Sequence, residues 1–268
     1  MGYTLITGAS SGIGREMALL CAEEHRDLVI TARNEAVLNG LKKQIEEEYG
    51  VKVLVIPADL SQSAAPQQLY DATTKAGIHV DMLVNDAGFS DWTRFLEADW
   101  NKTEAMMQLN MHAVAQLSYL YGRDMVSLGS GKIVNISSIA SAMPGPYMAM
   151  YYATKAFVRS LGVALAKELE HTGVTVTTIC PGPVTTGFAK AANMHGKNFY
   201  TMAKAATPSQ VAQFAYRKAM RGKALAYQGA LAKACSVLVR IAPLCLLVAG
   251  AATMNGGDPG KGANPLRK

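Results

Sequence analysis

Apolar positions along the chain fall into short continuous runs, separated by longer stretches in which apolar residues recur every three or four positions. The runs are Tyr3–Thr7, Asp27–Thr31, Val51–Ile56, Val80–Val84, Lys132–Ile136 and Val174–Cys180. Runs of this length read as strands buried on both faces. After the first run, Met17, Leu20 and Cys21 mark one helical face, and Val37, Leu38, Leu41 and Ile45 mark another over Glu35–Tyr49. Further helices are expected over Gln67–Lys75, from near Trp100, around Tyr151–Lys155, and over Pro208–Met220 with Thr207 as N-cap. Strands and helices alternating at this rhythm predict an α/β fold, a doubly wound parallel sheet with helices on both faces. No linker interrupts it. One domain is expected over residues 1–254, with 255–268, rich in Gly, Pro and Lys, as a disordered tail.

Two stretches depart from the alternation. Residues 187–206 lack periodicity and carry Met194, Phe199 and Met202, which reads as a lid over a substrate. Residues 230–252 are strongly apolar, but Lys233, Arg240 and Pro243 deny them an uninterrupted span of ~20 residues. An amphipathic helix closing a pocket or a subunit interface is the first reading. Peripheral membrane contact through 235–252 is the second, and a spanning helix the last.

Composition narrows the picture little. The chain has 268 residues, 50% apolar and 17% charged, as a globular protein with a substantial core does. The net charge of +6 comes without a basic run, so no nucleic-acid surface is indicated. Cys21, Cys180, Cys235 and Cys245 form no close pairs, and the five histidines show no ligand spacing. Neither a disulfide frame nor a metal site is expected, and a reducing, cytoplasmic setting fits. The N-terminus enters a strand by Tyr3, so no secretory leader is expected.

Candidate chemistry begins where the first strand meets Thr7-Gly8-Ala9-Ser10-Ser11-Gly12-Ile13-Gly14. Strand, Gly-rich turn and helix is the context of a dinucleotide fingerprint. Gly8 would permit the tight turn, Gly12 the approach of a pyrophosphate and Gly14 close helix packing, while the helix N-terminus offers free N–H groups. A purely structural glycine turn is the alternative. The second strand ends in Ala32-Arg33, where an acidic residue would bind a ribose and repel a 2′-phosphate. A guanidinium there favours NADP(H) over NAD(H), unless Arg33 is simply a solvated loop residue. Asp59, just past the third strand, could accept from an adenine amino group or cap a helix.

The second focus is Tyr151 and Lys155, four residues apart and so on one helical face. A phenol with a pKa near ~10 is a poor acid–base group at neutral pH. An ammonium one turn away would pull it toward the working range. Ser138, past the Lys132–Ile136 run, could turn its hydroxyl to the same place. Tyr152 also lies within reach of Lys155, and spacing does not separate it from Tyr151. Tyr-x-x-x-Lys recurs by chance; a helix with an interfacial Tyr and a solvated Lys is the bland reading.

In register, the motifs resemble the short-chain dehydrogenase/reductase family: Thr7-Gly8 through Gly14, Asp59-Leu60, Asn85-Asp86-Ala87-Gly88, Ile136-Ser137-Ser138, Tyr151 through Lys155 and Pro181-Gly182. The resemblance covers residues 3 to about 190. It implies a single-domain Rossmann fold and an NAD(P)-dependent oxidoreductase acting on a carbonyl or alcohol. The tetrad it implies is Asn110, Ser138, Tyr151 and Lys155, with Asn110 holding a water in a proton relay; a buried amide bonded to backbone is the alternative for Asn110. The register selects Tyr151 and leaves Tyr152 to packing. The implied cofactor contacts are Gly8, Ser10, Ser11, Gly12, Ile13, Gly14, Arg33, Asp59, Leu60, Asn85, Ala87, Gly88, Tyr151, Lys155, Pro181, Gly182, backbone at Val184 and the Thr186 hydroxyl. Ser138, Tyr147 and Tyr151 would meet the substrate. A homodimer or homotetramer is implied as well. One position departs: Asp86 stands where the family usually has Asn. The competing functions are a 3-oxoacyl or steroid/lipid carbonyl reductase and, from another class, a non-catalytic nucleotide-binding regulatory protein.

Overall fold

A computed structural model describes residues 2–185, 187, 192, 194 and 205–259. Seven strands form one parallel sheet: β1 (Tyr3–Thr7), β2 (Leu28–Thr31), β3 (Val53–Val55), β4 (Val80–Asn85), β5 (Gly131–Ile136), β6 (Val174–Pro181) and β7 (Leu225–Gln228). Their order across the sheet is β3-β2-β1-β4-β5-β6-β7. The strands are buried because successive residues feed opposite faces. Leu5 and Val29 enter the core on one side, Ile6 and Ile30 the core on the other. This is the expected doubly wound Rossmann-type fold.

The helices are α1 (Gly12–Glu23), α2 (Glu35–Tyr49), α3 (Ala65–Lys75), α4 (Trp100–Met107), α5 (Val114–Ser127), α6 (Ala149–Glu168), α7 (Pro208–Met220), α8 (Ala230–Leu238) and α9 (Leu244–Met254). Asn34 caps α2 by accepting from the Val37 N–H at 3.1 Å. Thr207 caps α7 in a reciprocal box with Gln210. Between α4 and α5 the helix widens into a π segment, Gln108–Ala113. Such segments are rare and concentrate at functional sites. Asn110 lies within it.

Three features differ from the sequence reading. β7 is an edge strand of four residues with no clear alternation; it exists because β6 offers it a partner, the Thr178 N–H bonding the Ala224 carbonyl at 2.9 Å. The apolar segment 230–252 is two helices, broken at Pro243, rather than one. Among the described residues no helix is long and apolar enough to cross a membrane. The expected tail boundary at 255 is also displaced. Asn255 is fully buried and bonded to the body, and Arg94 pairs with Asp258. Most of the 187–206 segment read as a lid, and residues 260–268, lie outside the described residues.

Strand order reverses between β1 and β4, so the crevice at their carboxyl ends is the natural place for a ligand. The helix α6 lies across β5 and β6 beside that crevice. At Gly162 a Cβ would stand 2.0 Å from Thr178 Oγ1 on β6. Gly162→Ala should therefore destabilise the fold by about 1–3 kcal/mol, read by urea denaturation. Thr178→Ala in the same chain should return part of that loss. An additive double mutant would show that this contact does not set the helix height.

Candidate active site

The Gly-rich turn sits at the crevice as its residue types require. Gly8 and Gly12 have φ of +73° and +58°, in the left-handed region that favours glycine. A Cβ on Gly14 would lie 2.5 Å from the Gly8 carbonyl oxygen and 2.9 Å from Asp86 Oδ2. The start of α1 is thus pressed onto the turn and onto the end of β4. Ser11 is the N-cap of α1 but makes no side-chain capping bond, so its hydroxyl is left to the crevice. Thr7 ties the two strands together: its Oγ1 donates to the Val84 carbonyl and accepts from the Asp86 and Ala87 N–H groups at 3.0 and 3.1 Å.

From this turn a cleft of about 450 Å3 runs to Tyr151 and Lys155. Gly8, Ser10, Ser11, Gly12 and Ile13 line it, as do Arg33, Asp59, Leu60, Ala87 and Gly88. Arg33 is exposed at the rim. Asp59 is not a helix cap. Burial works against its charge, but the Ser61 hydroxyl and N–H, at 2.7 and 3.1 Å, together with Gln62 and Arg33, hold it below the usual carboxylate range. Asn85 does not reach the cleft. It is buried in the sheet, donating from Nδ2 to Asn135 Oδ1 at 2.9 Å and to Ser118 Oγ at 3.2 Å, and so clamps β4 to β5. Pro181 ends β6, Gly182 bonds the Gln228 carbonyl, and Val184 pairs with Ala206. Thr186 lies outside the described residues.

At the inner end, Ser138 follows β5 and starts a short 3-10 turn, Ile139–Ala142, its Oγ accepting from the Ala140 N–H at 3.1 Å. Tyr151 is 6% exposed, and the Ser138 side chain beside its phenol works against the upward push of burial on its pKa. The Lys155 ammonium stands 5.9 Å from the Tyr151 ring centroid and donates to the Ile136 carbonyl at 2.9 Å. Ser137 Oγ in turn donates to the Lys155 carbonyl at 2.8 Å, fixing this turn of α6 to β5. Tyr152 points elsewhere, its hydroxyl donating to Asn255 Oδ1 at 2.9 Å.

Asn110 is brought beside this group but its amide is committed. Oδ1 accepts from the Phe89 N–H at 3.1 Å, and Nδ2 donates to the Phe89 carbonyl and to Thr154 Oγ1 at 2.9 and 3.1 Å. Both amide protons are spent, leaving the spare lone pair of Oδ1 as the side chain's remaining capacity. A Cβ on Gly88 would stand 3.0 Å from that Oδ1 and 3.5 Å from Lys155 Nζ. Tyr147 is half-buried with φ +65°, a strained conformation for a bulky residue.

Electrostatics here differ from the expectation of a Tyr151 pulled downward. Burial pushes the Tyr151 phenol above its ordinary value, opposed by the neighbouring Ser138 side chain and reinforced by Tyr152 and Asp86. Burial lowers Lys155, and Asp86 partly restores it. Asp86 itself, half-buried beside α1, is pushed up to about 6 by burial, with Lys155 and the Gly14 N–H holding it down. The residue that departs from the family pattern therefore sits between the Gly-rich turn and the ammonium. Sequence reasoning placed Asn85 in the cleft and left Asp86 and Thr7 without a role. Phe89, Ser90 and Leu109, which also line the cleft, carried no signal beyond adjacency to Gly88 and Asn110.

The model of the short chain dehydrogenase family matches residues 3–197. A 7beta-hydroxysteroid dehydrogenase from Collinsella aerofaciens is 31% identical over 184 residues, covering 69% of each chain. A very-long-chain 3-oxoacyl-CoA reductase from Laccaria bicolor is 32% identical over 65% of this chain; the match spans about half, 52%, of that protein's length. Among solved structures, a short-chain dehydrogenase from Sphingobium yanoikuyae in complex with NADPH superposes with a TM-score of 0.80 at 28% identity, over 91% of this chain and 97% of that one. A short-chain dehydrogenase/reductase from Burkholderia phymatum in complex with NAD gives 0.79 at 25% identity, over 88% and 92%.

The Asp86 carboxyl generates a test. Its folded pKa, about 6, lies above the ordinary 3.8, so the fold favours the protonated form. The stability this confers is complete below the ordinary value and lost as pH rises through 6. Asp86→Asn should raise Tm at pH 8 and leave it nearly unchanged at pH 4. An equal shift at both values would assign the effect to packing instead.

Proposed function

Because the chain belongs to the short-chain dehydrogenase/reductase family of oxidoreductases, we propose that it reduces an apolar carbonyl substrate using NADP(H), with Tyr151 as the proton donor. The observation that carries this reading is the cluster of buried Ser138, Tyr151 and Lys155, with the ammonium 5.9 Å from the centroid of the phenol ring, at the inner end of the cleft that begins at the Gly-rich turn. The residues fit a nicotinamide dinucleotide. The turn is shaped by glycines whose Cβ positions are taken or strained, and the N-terminus of α1 faces the cleft as an anion site does. Arg33 at the rim suits a 2′-phosphate, which favours NADP(H) over NAD(H).

When bound, the nicotinamide supplies the hydride in reduction and accepts it in oxidation. Tyr151 gives its proton to the oxygen that becomes the alcohol. Ser138 holds that oxygen against the phenol by donating its hydroxyl proton to it. Lys155 brings positive charge to the phenolate as it forms. Asn110 completes the tetrad by shaping the Phe89 loop, and the relay of protons to Lys155 passes its Oδ1.

The surroundings of Tyr151 support an apolar substrate. Met106, Met148, Met194 and Tyr152 pack with it, and Phe89, Trp92, Met143 and Met150 adjoin them. A 3-oxoacyl or steroid/lipid carbonyl is the substrate class within the reading, in keeping with the names of the Laccaria and Collinsella relatives. Tyr147, beside Met148, would meet that substrate at the opening. Four unpaired cysteines accord with a cytoplasmic setting. Assembly as a homodimer or homotetramer belongs to the reading as well.

Tyr151→Phe is expected to lower kcat by ~100-fold or more, while NADPH affinity, followed by fluorescence of the bound reduced cofactor, stays nearly intact. Loss of NADPH binding in a folded Tyr151→Phe protein would overturn the assignment. Arg33→Ala should weaken NADPH binding by roughly tenfold and leave NADH binding unchanged, the expected loss of a charge-assisted hydrogen bond. Equal losses for both cofactors would remove the 2′-phosphate reading. Wild-type protein that binds NADPH but turns over no carbonyl would favour the regulatory alternative.

A further inference from the structure

The chain from His171 to Gly257 contains nine Lys and Arg residues and neither Asp nor Glu, although the whole chain has 20 carboxylates. Within that cationic stretch, α8 and α9 form a hairpin whose two faces are unlike. One face is held. Ala232 and Ala251 are buried, and α8 packs against β7 and the Ile139–Ala142 turn. At the foot of α9, Asn255 donates to the Pro146 carbonyl at 2.8 Å and accepts from Tyr152.

The other face is apolar and bare. Ile241, Leu244 and Leu246, about the break at Pro243, are 77%, 61% and 65% exposed, with Val237 and Leu238 exposed beside them. Several large aliphatic side chains exposed together mark an interaction surface rather than ordinary surface scatter. Lys233 and Arg240 flank them, both exposed and neither in a salt bridge among the described residues.

The charge decides what covers this face. A second copy docked across a two-fold axis would bring the same lysine and arginine to the contact, with no carboxylate from either hairpin to meet them. Asp258, the nearest carboxylate in sequence, is already paired with Arg94. A surface of anionic lipid headgroups over an apolar interior matches both features, the bare aliphatic tip and the flanking cations. Helices of nine and eleven residues are far short of a span, so insertion would be shallow.

We propose that the α8–α9 hairpin docks the protein on anionic phospholipid bilayers, with Ile241, Leu244 and Leu246 inserted and Lys233 and Arg240 on the headgroups. The root of the hairpin touches Tyr152, whose ring centroid is 6.3 Å from that of Tyr151. Docking therefore sets the mouth of the site against the bilayer, and an apolar carbonyl would enter from lipid. This last step rests on the proposed reductase function; the docking does not.

The test uses the full chain in vesicle co-sedimentation. Phosphatidylcholine vesicles with about one third phosphatidylglycerol are compared with phosphatidylcholine alone, since anionic charge should add severalfold to binding for each basic residue near the surface. Retention on the anionic vesicles at low salt is expected, roughly tenfold or more above neutral vesicles and falling with added salt. The triple variant Ile241→Glu, Leu244→Glu, Leu246→Glu and the double variant Lys233→Ala, Arg240→Ala should each lose at least tenfold, with NADPH affinity within about twofold of wild type. Absence of wild-type retention on anionic vesicles overturns the proposal. So does a triple variant that keeps its vesicle binding, or one whose sole change in size-exclusion chromatography is dissociation of a dimer. The NADPH titration on the same samples separates the two readings. Vesicle binding without NADPH binding would leave the hairpin assignment standing and remove the reductase.

Discussion

The site depends on the approach of α1 to the turn that precedes it. Because Gly14 has no side chain, the helix begins in contact with the Gly8 carbonyl and with the Asp86 carboxyl on the next strand. That approach aims the first N–H groups of α1 into the crevice between β1 and β4, where the sheet order reverses. Thr7 reinforces the joint with one hydroxyl shared among three backbone groups of β4 and its extension. Everything farther along the cleft is measured from this joint. Gly88 follows Asp86 by two residues and borders Lys155 Nζ, so the Gly-rich turn and the Tyr151–Lys155 end of the cleft are linked by one short stretch of backbone.

Along that stretch the charges are interdependent. Tyr151 and Lys155 are buried and Asp86 partly so; Asp86 raises the proton affinity of both, and Lys155 lowers that of Asp86. Burial favours the neutral form of every one of them. A dinucleotide held at the Gly-rich turn would bring further negative charge to the Asp86 end, which would favour a proton on that carboxyl and alter what Lys155 faces. An Asn at position 86 would occupy the same place beside Gly14 without entering this exchange.

The order of strands and helices was legible because fully buried parallel strands leave continuous apolar runs, as in Val80–Val84 and Val174–Cys180. The Gly-rich turn was legible from its place between a strand and a helix, and Tyr151 and Lys155 from their four-residue spacing, with Ser138 just past an apolar run. What escaped was set by partners distant in sequence. β7 has too few residues to show a period and is held by β6. Asn85 looks like a cleft residue from its position after a strand, yet its amide is turned sideways to Asn135. The upward push on Tyr151 comes from enclosure by several segments, whereas spacing displays the nearby ammonium alone. The anchoring of Asn255 joins residues 103 positions apart, which no local pattern records.

Asn110 offers its amide to Phe89 as a neighbouring strand would, meeting the N–H and the C=O of the same residue. It acts as one peptide unit borrowed from a helix to pin a loop. Few side chains can substitute: Asp lacks the donor, Gln is one methylene too long, and Ser or Ala leaves a buried N–H and C=O without partners. Gly88 and Lys155 stand beside the pinned loop, so its shape and their spacing change together. Inactivity in an Asn110 variant would thus be ambiguous evidence for proton relay, because the same substitution dismantles the frame that any relay would cross.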